Sequence, residues 1–170
     1  NQLQRATQQT LEYARSVETL TAQTGLSTQS ASAFTLASQQ LGINTDTVQE
    51  ALRTFSDRLG RATGLFGEPT KGSKDMARAM KELGISTLDA NGNVRSLEDL
   101  LPEIFDGFQK LGPGIKATAV ATALFGQRAD EMIPLLIRGS ANIEDMRKRA
   151  ADLGLVLTPE RTDNLRDLTV

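Results

Sequence analysis

Between residues 2 and 24, apolar and small side chains fall at the three-four spacing of a helical seam. Leu3, Thr10, Val17 and Thr24 alternate with Ala6, Tyr13 and Leu20. This spacing predicts a helix of about three heptads. Two threonines weaken the seam, so two readings stay open: the end of a coiled coil, or one amphipathic helix docked on its own domain. A four-residue pattern then recurs as Gly25-Leu26-Ser27-Thr28, Gly42-Ile43-Asn44-Thr45 and Gly84-Ile85-Ser86-Thr87, with a degenerate copy at Gly154-Leu155. Glycine can take the left-handed conformation that closes a helix, the apolar residue folds back on the last turn, and Ser or Asn can cap the next helix. As punctuation, the pattern predicts helices over 28–41 and 45–62. The latter has the clearest stripe, formed by Val48, Ala51, Leu52, Phe55, Leu59 and Ala62.

Gly64, Gly67, Pro69 and Gly72 predict a surface loop over 64–73, followed by a short helix with Met76, Met80 and Leu83 on one face. Ile85–Leu88 and Asn93–Arg95 flank Asp89-Ala90-Asn91-Gly92, and Asn-Gly between such runs predicts a β-hairpin. Leu97, Leu100, Leu101, Ile104, Phe105, Phe108 and Leu111 trace a strongly amphipathic helix from near Ser96 to the stop at Gly112-Pro113-Gly114. Pro102 should kink its first turns or mark its start. An Ala-rich helix follows over 115–125, closed by Gly126, and then a helix over 128–138 interrupted by Pro134. Another helix covers 141–153, with Ile143, Met146, Ala150 and Leu153 inward. Leu155-Val156-Leu157 would be a third short strand, and Thr158-Pro159-Glu160 has the cap and first-turn Pro of a last helix.

The expected fold is mainly α: a multi-helix bundle with a small β-hairpin or three short strands and an N-terminal amphipathic arm. The expected division is an arm over 1–24, a compact module over 25–158, and the start of a further helix over 159–170. The first residues, Asn1-Gln2-Leu3, include neither an initiator Met nor a signal sequence, so the chain reads as a piece of a longer protein.

Composition narrows the chemistry. The 170 residues include no His, no Cys and no Trp. That excludes Ser-His-Asp and Cys-His nucleophile pairs, zinc fingers, disulfides and thiol redox sites. The 19 basic and 21 acidic side chains nearly balance, giving no general pull toward nucleic acid or an anionic membrane. Their distribution is uneven, with six charges in residues 1–50 and 34 in the rest. No apolar run approaches the ~18 residues of a membrane span.

The remaining motifs favour structure over chemistry. Counted as a calcium loop from Asp89, the sixth and twelfth positions hold Val94 and Leu100 instead of Gly and Glu. Glu98-Asp99, Asp130-Glu131 and Glu144-Asp145 are neighbours about 100° apart on a helix, so no pair converges alone, and they read as solvated helix faces. Arg147-Lys148-Arg149 is neutralised by Glu144, Asp145 and Asp152 and has no interleaved aromatic, so no specific nucleic-acid site is expected. The Gly-rich stretch 60–72 lacks the Gly-Lys-Ser/Thr ending of a phosphate loop. No catalytic, cofactor or metal residue is assigned, and no cofactor is expected. The positions expected to matter are structural: Gly25, Gly42, Gly84, Asn91, Gly92, Phe125, Gly126, Pro134 and Gly154.

The order of elements over 36–160 resembles the conserved N-terminal region of phage or prophage tail tape measure proteins. The matching residues are Glu50-Ala51-Leu52 to Leu59-Gly60, Lys81-Glu82-Leu83-Gly84-Ile85, Asp89-Ala90-Asn91-Gly92-Asn93-Val94-Arg95 and Leu97-Glu98-Asp99-Leu100-Leu101. Ala123-Leu124-Phe125-Gly126, Glu131-Met132-Ile133-Pro134-Leu135-Leu136, Gly139-Ser140 and Leu153-Gly154 complete the set. The resemblance implies a non-catalytic structural protein that lies in the tail lumen, sets tail length and organises assembly in the host bacterial cytoplasm. Its partners would be the tail tube protein, tail assembly chaperones and tail tip or baseplate proteins, with self-association into a homo-oligomer also open. The alternative is a small helical adaptor or regulatory domain of a cellular protein. A membrane-active or peptidoglycan-processing segment fits least, because this stretch has neither a membrane span nor a recognisable Glu-based lytic motif.

Overall fold

The computed structural model describes residues 2–65 and 67–154. Among them the chain forms eight α-helices: α1 (Gln2–Thr24), α2 (Thr28–Gln40), α3 (Thr45–Ala62), α4 (Lys71–Glu82), α5 (Leu97–Leu111), α6 (Ile115–Phe125), α7 (Ile133–Leu136) and α8 (Gly139–Asp152). A 3-10 turn over Gln127–Met132 joins α6 to α7. The readings of 155–157 as a strand and of 158–170 as a helix lie outside the described residues.

Two of the glycine patterns switch one helix off and the next on. After α2, Gly42 turns left-handed (φ 70°), and the Ile43 amide reaches back to the Ser38 carbonyl at 2.8 Å, so the last carbonyls of α2 are satisfied. Asn44 then caps α3 by accepting the Asp46 amide at 2.9 Å. Gly25 and Ser27 do the same between α1 and α2, with Ser27 Oγ accepting the Ser30 amide. The third copy closes α4 in the same way, but no helix follows Ser86. Its hydroxyl donates to the Leu88 carbonyl and accepts the Leu88 amide, a local turn.

That turn removes the expected hairpin. Among the described residues there is no strand, only an isolated antiparallel bridge between Leu88 and Val94. The five residues between them fold around Asp89, whose Oδ1 accepts the Asn91 and Asn93 amides at 2.8 and 2.9 Å. Ser86 turns the chain on one side and the cap of α5 begins at Ser96 on the other, leaving no length for a ladder. The expected loop over 64–73 is also shorter. Thr70 and Ser73 cap each other's amides at 3.1 and 2.8 Å and start α4 at Lys71.

α5 begins at Leu97, so Pro102 lies inside the helix and does not start it. The expected helix over 128–138 is instead a 3-10 turn followed by α7, with Pro134 in the first turn of α7. Pro134 has no N–H for the Asp130 carbonyl, which accepts the Ile133 amide in a tighter turn.

The core runs through every layer. The stripes of α3 and α5 face inward, with Phe55, Leu100, Ile104 and Phe108 fully buried. Phe55 packs on Phe125 (centroids 5.6 Å apart) and Phe34 on Phe105 (5.4 Å). Leu153, expected inward, is instead 67% exposed at the end of α8. In α1, Tyr13, Ala14, Val17 and Leu20 are buried against α2 and α3, while Leu3 is 77% exposed.

α2 differs from the rest. Every residue from Ser30 to Ser38 is buried, and the helix packs against α1, α3 and α8. Its hydroxyls bond back to the preceding turn: Ser32 to Thr28, Thr35 to Ala31 and Ser38 to Phe34, at 2.7–2.8 Å. Small side chains let neighbouring helices approach closely, so enlarging one should be felt at once. Ala33→Leu is expected to cost about 1–3 kcal/mol in urea denaturation; an unchanged midpoint would show that α2 has room.

Candidate functional site

The N-terminal half of α2 meets the first turns of α5 and most of α8 at a cleft of about 300 Å³. Leu26 and Phe34 form one side, Leu101, Pro102 and Phe105 the second, and Ser140, Ala141 and Ile143 the third. Glu98, Ser30, Glu144 and Arg147 close one end.

Glu98 organises that end. Its carboxylate accepts the Ser27 amide at 3.1 Å, the Ser27 hydroxyl at 2.8 Å and the Ser30 hydroxyl at 2.5 Å. Arg147 donates to Ser30 Oγ at 2.6 Å and stands 4.0 Å from Glu98. In α4 the capping box is closed by the helix's own Ser73. In α2 the equivalent residue, Ser30, points its hydroxyl at Glu98, and the carboxylate of another helix takes the amide of the cap residue. Burial alone would raise the Glu98 pKa, but the hydrogen bonds from Ser30 and Ser27 outweigh it with help from Arg147, holding the carboxyl below its ordinary value.

α5 repeats the device further along. Asp106 Oδ1 accepts the Ser140 amide at 2.9 Å and the Ser140 hydroxyl at 2.7 Å, which ties down the start of α8. Two carboxylates on one helix therefore hold the N-terminal ends of two others, where the backbone presents unpaired N–H groups and positive potential. Arg58 performs the opposite task at the end of α6, donating to the Thr122 and Ala123 carbonyls at 2.9 and 2.7 Å. On the surface, Arg128 bonds Glu131 and Thr47 and faces Glu50 at 3.6 Å.

The structural positions singled out from sequence are scattered through the scaffold, and none of them lines this cleft, although Gly25 directly precedes its Leu26. Gly25, Gly42, Gly84 and Gly154 follow helix ends, Gly92 and Asn91 sit in the Asp89 loop, Phe125 is in the core, and Pro134 lies at the start of α7. Gly126 is left-handed (φ 96°) and buried, and a Cβ there would meet Thr54 at 3.4 Å. From the sequence alone Glu98 reads as part of a solvated helix face, and its role escapes that reading because its partners lie 68 and 71 residues away. The available signal was Ser27-Thr28-Gln29-Ser30, a cap sequence with no Glu or Gln at its fourth position to complete the box. Of the basic run, Arg147 turns into the network while Arg149 is exposed.

Glu98 and Asp106 here accept hydrogen bonds from the ends of neighbouring helices. Among the described residues no group of three acidic side chains could hold a metal ion, and no helix is long and apolar enough to cross a membrane. What the network does is fix three helices in register.

Glu98→Gln should therefore destabilise the fold by about 1–2 kcal/mol at neutral pH, the scale of a lost helix cap. The sign with pH follows from the lowered carboxyl. The Glu98 contribution is present above its ordinary value of 4.5 and is lost as pH falls through the lower folded value. Denaturation as a function of pH should show the wild type losing its advantage over Glu98→Gln in acid; a constant difference down to acid pH would contradict this role.

No curated protein and no solved structure matches the chain. Residues 4–126 match the protein-family model of the phage-related minor tail proteins, which takes in α1 to α6 and the α2 and α5 sides of the cleft. The chain belongs to the phage-related minor tail protein family.

Proposed function

We propose that the chain is a structural and assembly segment of a tail tape measure protein, without catalysis, that helps set tail length and organise tail assembly. The family match over 4–126 carries the reading. It is supported by the further motifs that resemble tape measure proteins, from Glu131-Met132-Ile133-Pro134-Leu135-Leu136 to Leu153-Gly154. In this reading the segment lies in the lumen of the virion tail after assembly in the host cytoplasm. Its partners are the tail tube protein, the assembly chaperones and the tail tip or baseplate.

A ruler needs an extended element of fixed rise, and an α-helix supplies about 1.5 Å per residue. The longest described helix, α1, has 23 residues, about 35 Å at that rise. From α2 onward the helices fold back on one another and bury a shared core. The segment therefore contributes to length control as a compact module, while the extended ruler itself is helical sequence elsewhere in the parent protein. α1, half docked and half projecting, is the element suited to join the two.

In-frame deletion of a helical stretch of the parent protein outside this module should shorten tails by about 1.5 Å per residue removed, measured by electron microscopy. Tails of unchanged length in viable particles would refute the ruler role of the deleted part.

A further inference from the structure

Every residue from Leu88 to Asn93 is exposed, Asn91 and Gly92 among them. The Gly92 amide donates to the Asp89 carbonyl at 3.1 Å, closing a four-residue turn in which Gly92 is left-handed (φ 80°). Asp89 clasps the turn further. Its Oδ1 accepts the Asn91 and Asn93 amides, and its own amide donates to the Asn93 carbonyl at 2.8 Å. Among the described residues none hydrogen-bonds the Asn91 carboxamide, which is tethered beside the backbone nitrogen of a residue without a side chain.

A free carboxamide in that position is open to attack on its carbonyl carbon by the next residue's amide nitrogen, and the attack is least hindered where that residue has no Cβ. The other described asparagines lack this combination. Asn44 uses its side chain to cap α3 and precedes Thr45. Asn93 and Asn142 precede Val94 and Ile143, whose branched side chains crowd their own amide nitrogens, and Asn142 also lies within α8.

We infer that Asn91 is a site of self-modification by deamidation, with the Asp89 clasp setting its rate. The Gly92 nitrogen bonds to Asn91 Cγ, the Cγ–Nδ2 bond breaks, and Nδ2 leaves as ammonia with the Gly92 proton, giving a succinimide. Water then opens the ring. Cleavage at Cγ leaves aspartate in an ordinary backbone; cleavage at the Asn91 main-chain carbonyl leaves isoaspartate, with the chain running through Cγ. For the attack the Gly92 nitrogen must swing toward Cγ, which breaks its hydrogen bond to the Asp89 carbonyl. The clasp resists that swing, so the reaction waits on opening of the turn. Opening is local, because residues 88–93 are exposed and the buried anchors on either side, Ile85 and Leu97, lie outside the turn. Isoaspartate lengthens the main chain by a methylene between Ala90 and Gly92, which carries Asn93 away from Asp89 and undoes the clasp. The helices stay, since Gly84 closes α4 and Ser96 caps α5 independently of the turn. This inference does not depend on reading the chain as part of a tape measure protein.

The test incubates the full chain at mildly alkaline pH, where more of the amide nitrogen is deprotonated, and follows it by peptide mapping with mass spectrometry. The peptide holding Asn91 should gain the mass of an amide exchanged for an acid and split into aspartyl and isoaspartyl forms, while those holding Asn44 and Asn142 stay intact. The same chain unfolded in guanidinium chloride should react faster at Asn91. Asp89→Ala should speed the reaction of the folded chain about tenfold, as the loss of two hydrogen bonds in the turn allows. The wild-type comparison of folded and unfolded chain keeps the test decisive if Asp89→Ala does not fold. Loss of another asparagine's amide before that of Asn91 would overturn the inference. So would equal rates in the folded and unfolded chain, or an Asn91 amide that survives in the folded chain while the unfolded one is fully converted.

Discussion

A helix without a solvent face depends on its neighbours, and α2 is such a helix. From Ser30 to Ser38 it is surrounded, with Ala, Ser and Thr where an ordinary core helix would carry Leu or Ile. Its stability comes from two conditions met together. Each buried hydroxyl must find a partner, because an unpaired one costs about 1–3 kcal/mol; Ser32, Thr35 and Ser38 find theirs on their own helix. The N-terminus must also be satisfied, and Glu98 of α5 does that, with Arg147 of α8 holding the same cluster. The positions of α5 and α8 follow from the requirements of α2.

The same logic explains the rest of the bundle. Asp106 holds α8 by its first turn, Arg58 holds α6 by its last, and the aromatic pairs Phe34–Phe105 and Phe55–Phe125 join the helices between these points. With few aromatics and no disulfide, the chain uses helix ends as fastening points. Each is a charged side chain on one helix meeting unpaired backbone groups on another. A cleft survives where three of these helices converge, because Ala141 and Ser140 on α8 are too small to close it.

Much of this was legible in the sequence. The glycine patterns marked the ends of α1, α2 and α4, and the apolar stripes marked the buried faces of α3 and α5, because local geometry alone determines both. What failed depended on distant partners or on the room available. α2 has no amphipathic rhythm to read, since a helix buried all round shows none. Glu98 looked like an exposed first-turn acid until the fold brought Ser27 beside it. Asn91-Gly92 does make a turn, yet Ser86 and Ser96 leave no residues to extend it into strands. Pro134 reads as a break within one helix, although the chain has already tightened into a 3-10 turn before reaching it.

α2 is the element on which the fold closes, and Glu98 holds it there. Native-state hydrogen exchange tests it most directly, because amides buried in the last unit to open exchange only through global unfolding. The amides of 31–38 should be the slowest in the chain and should exchange with the free energy of global unfolding. Exchange of these amides by a smaller opening, while α3 and α5 stay protected, would contradict it.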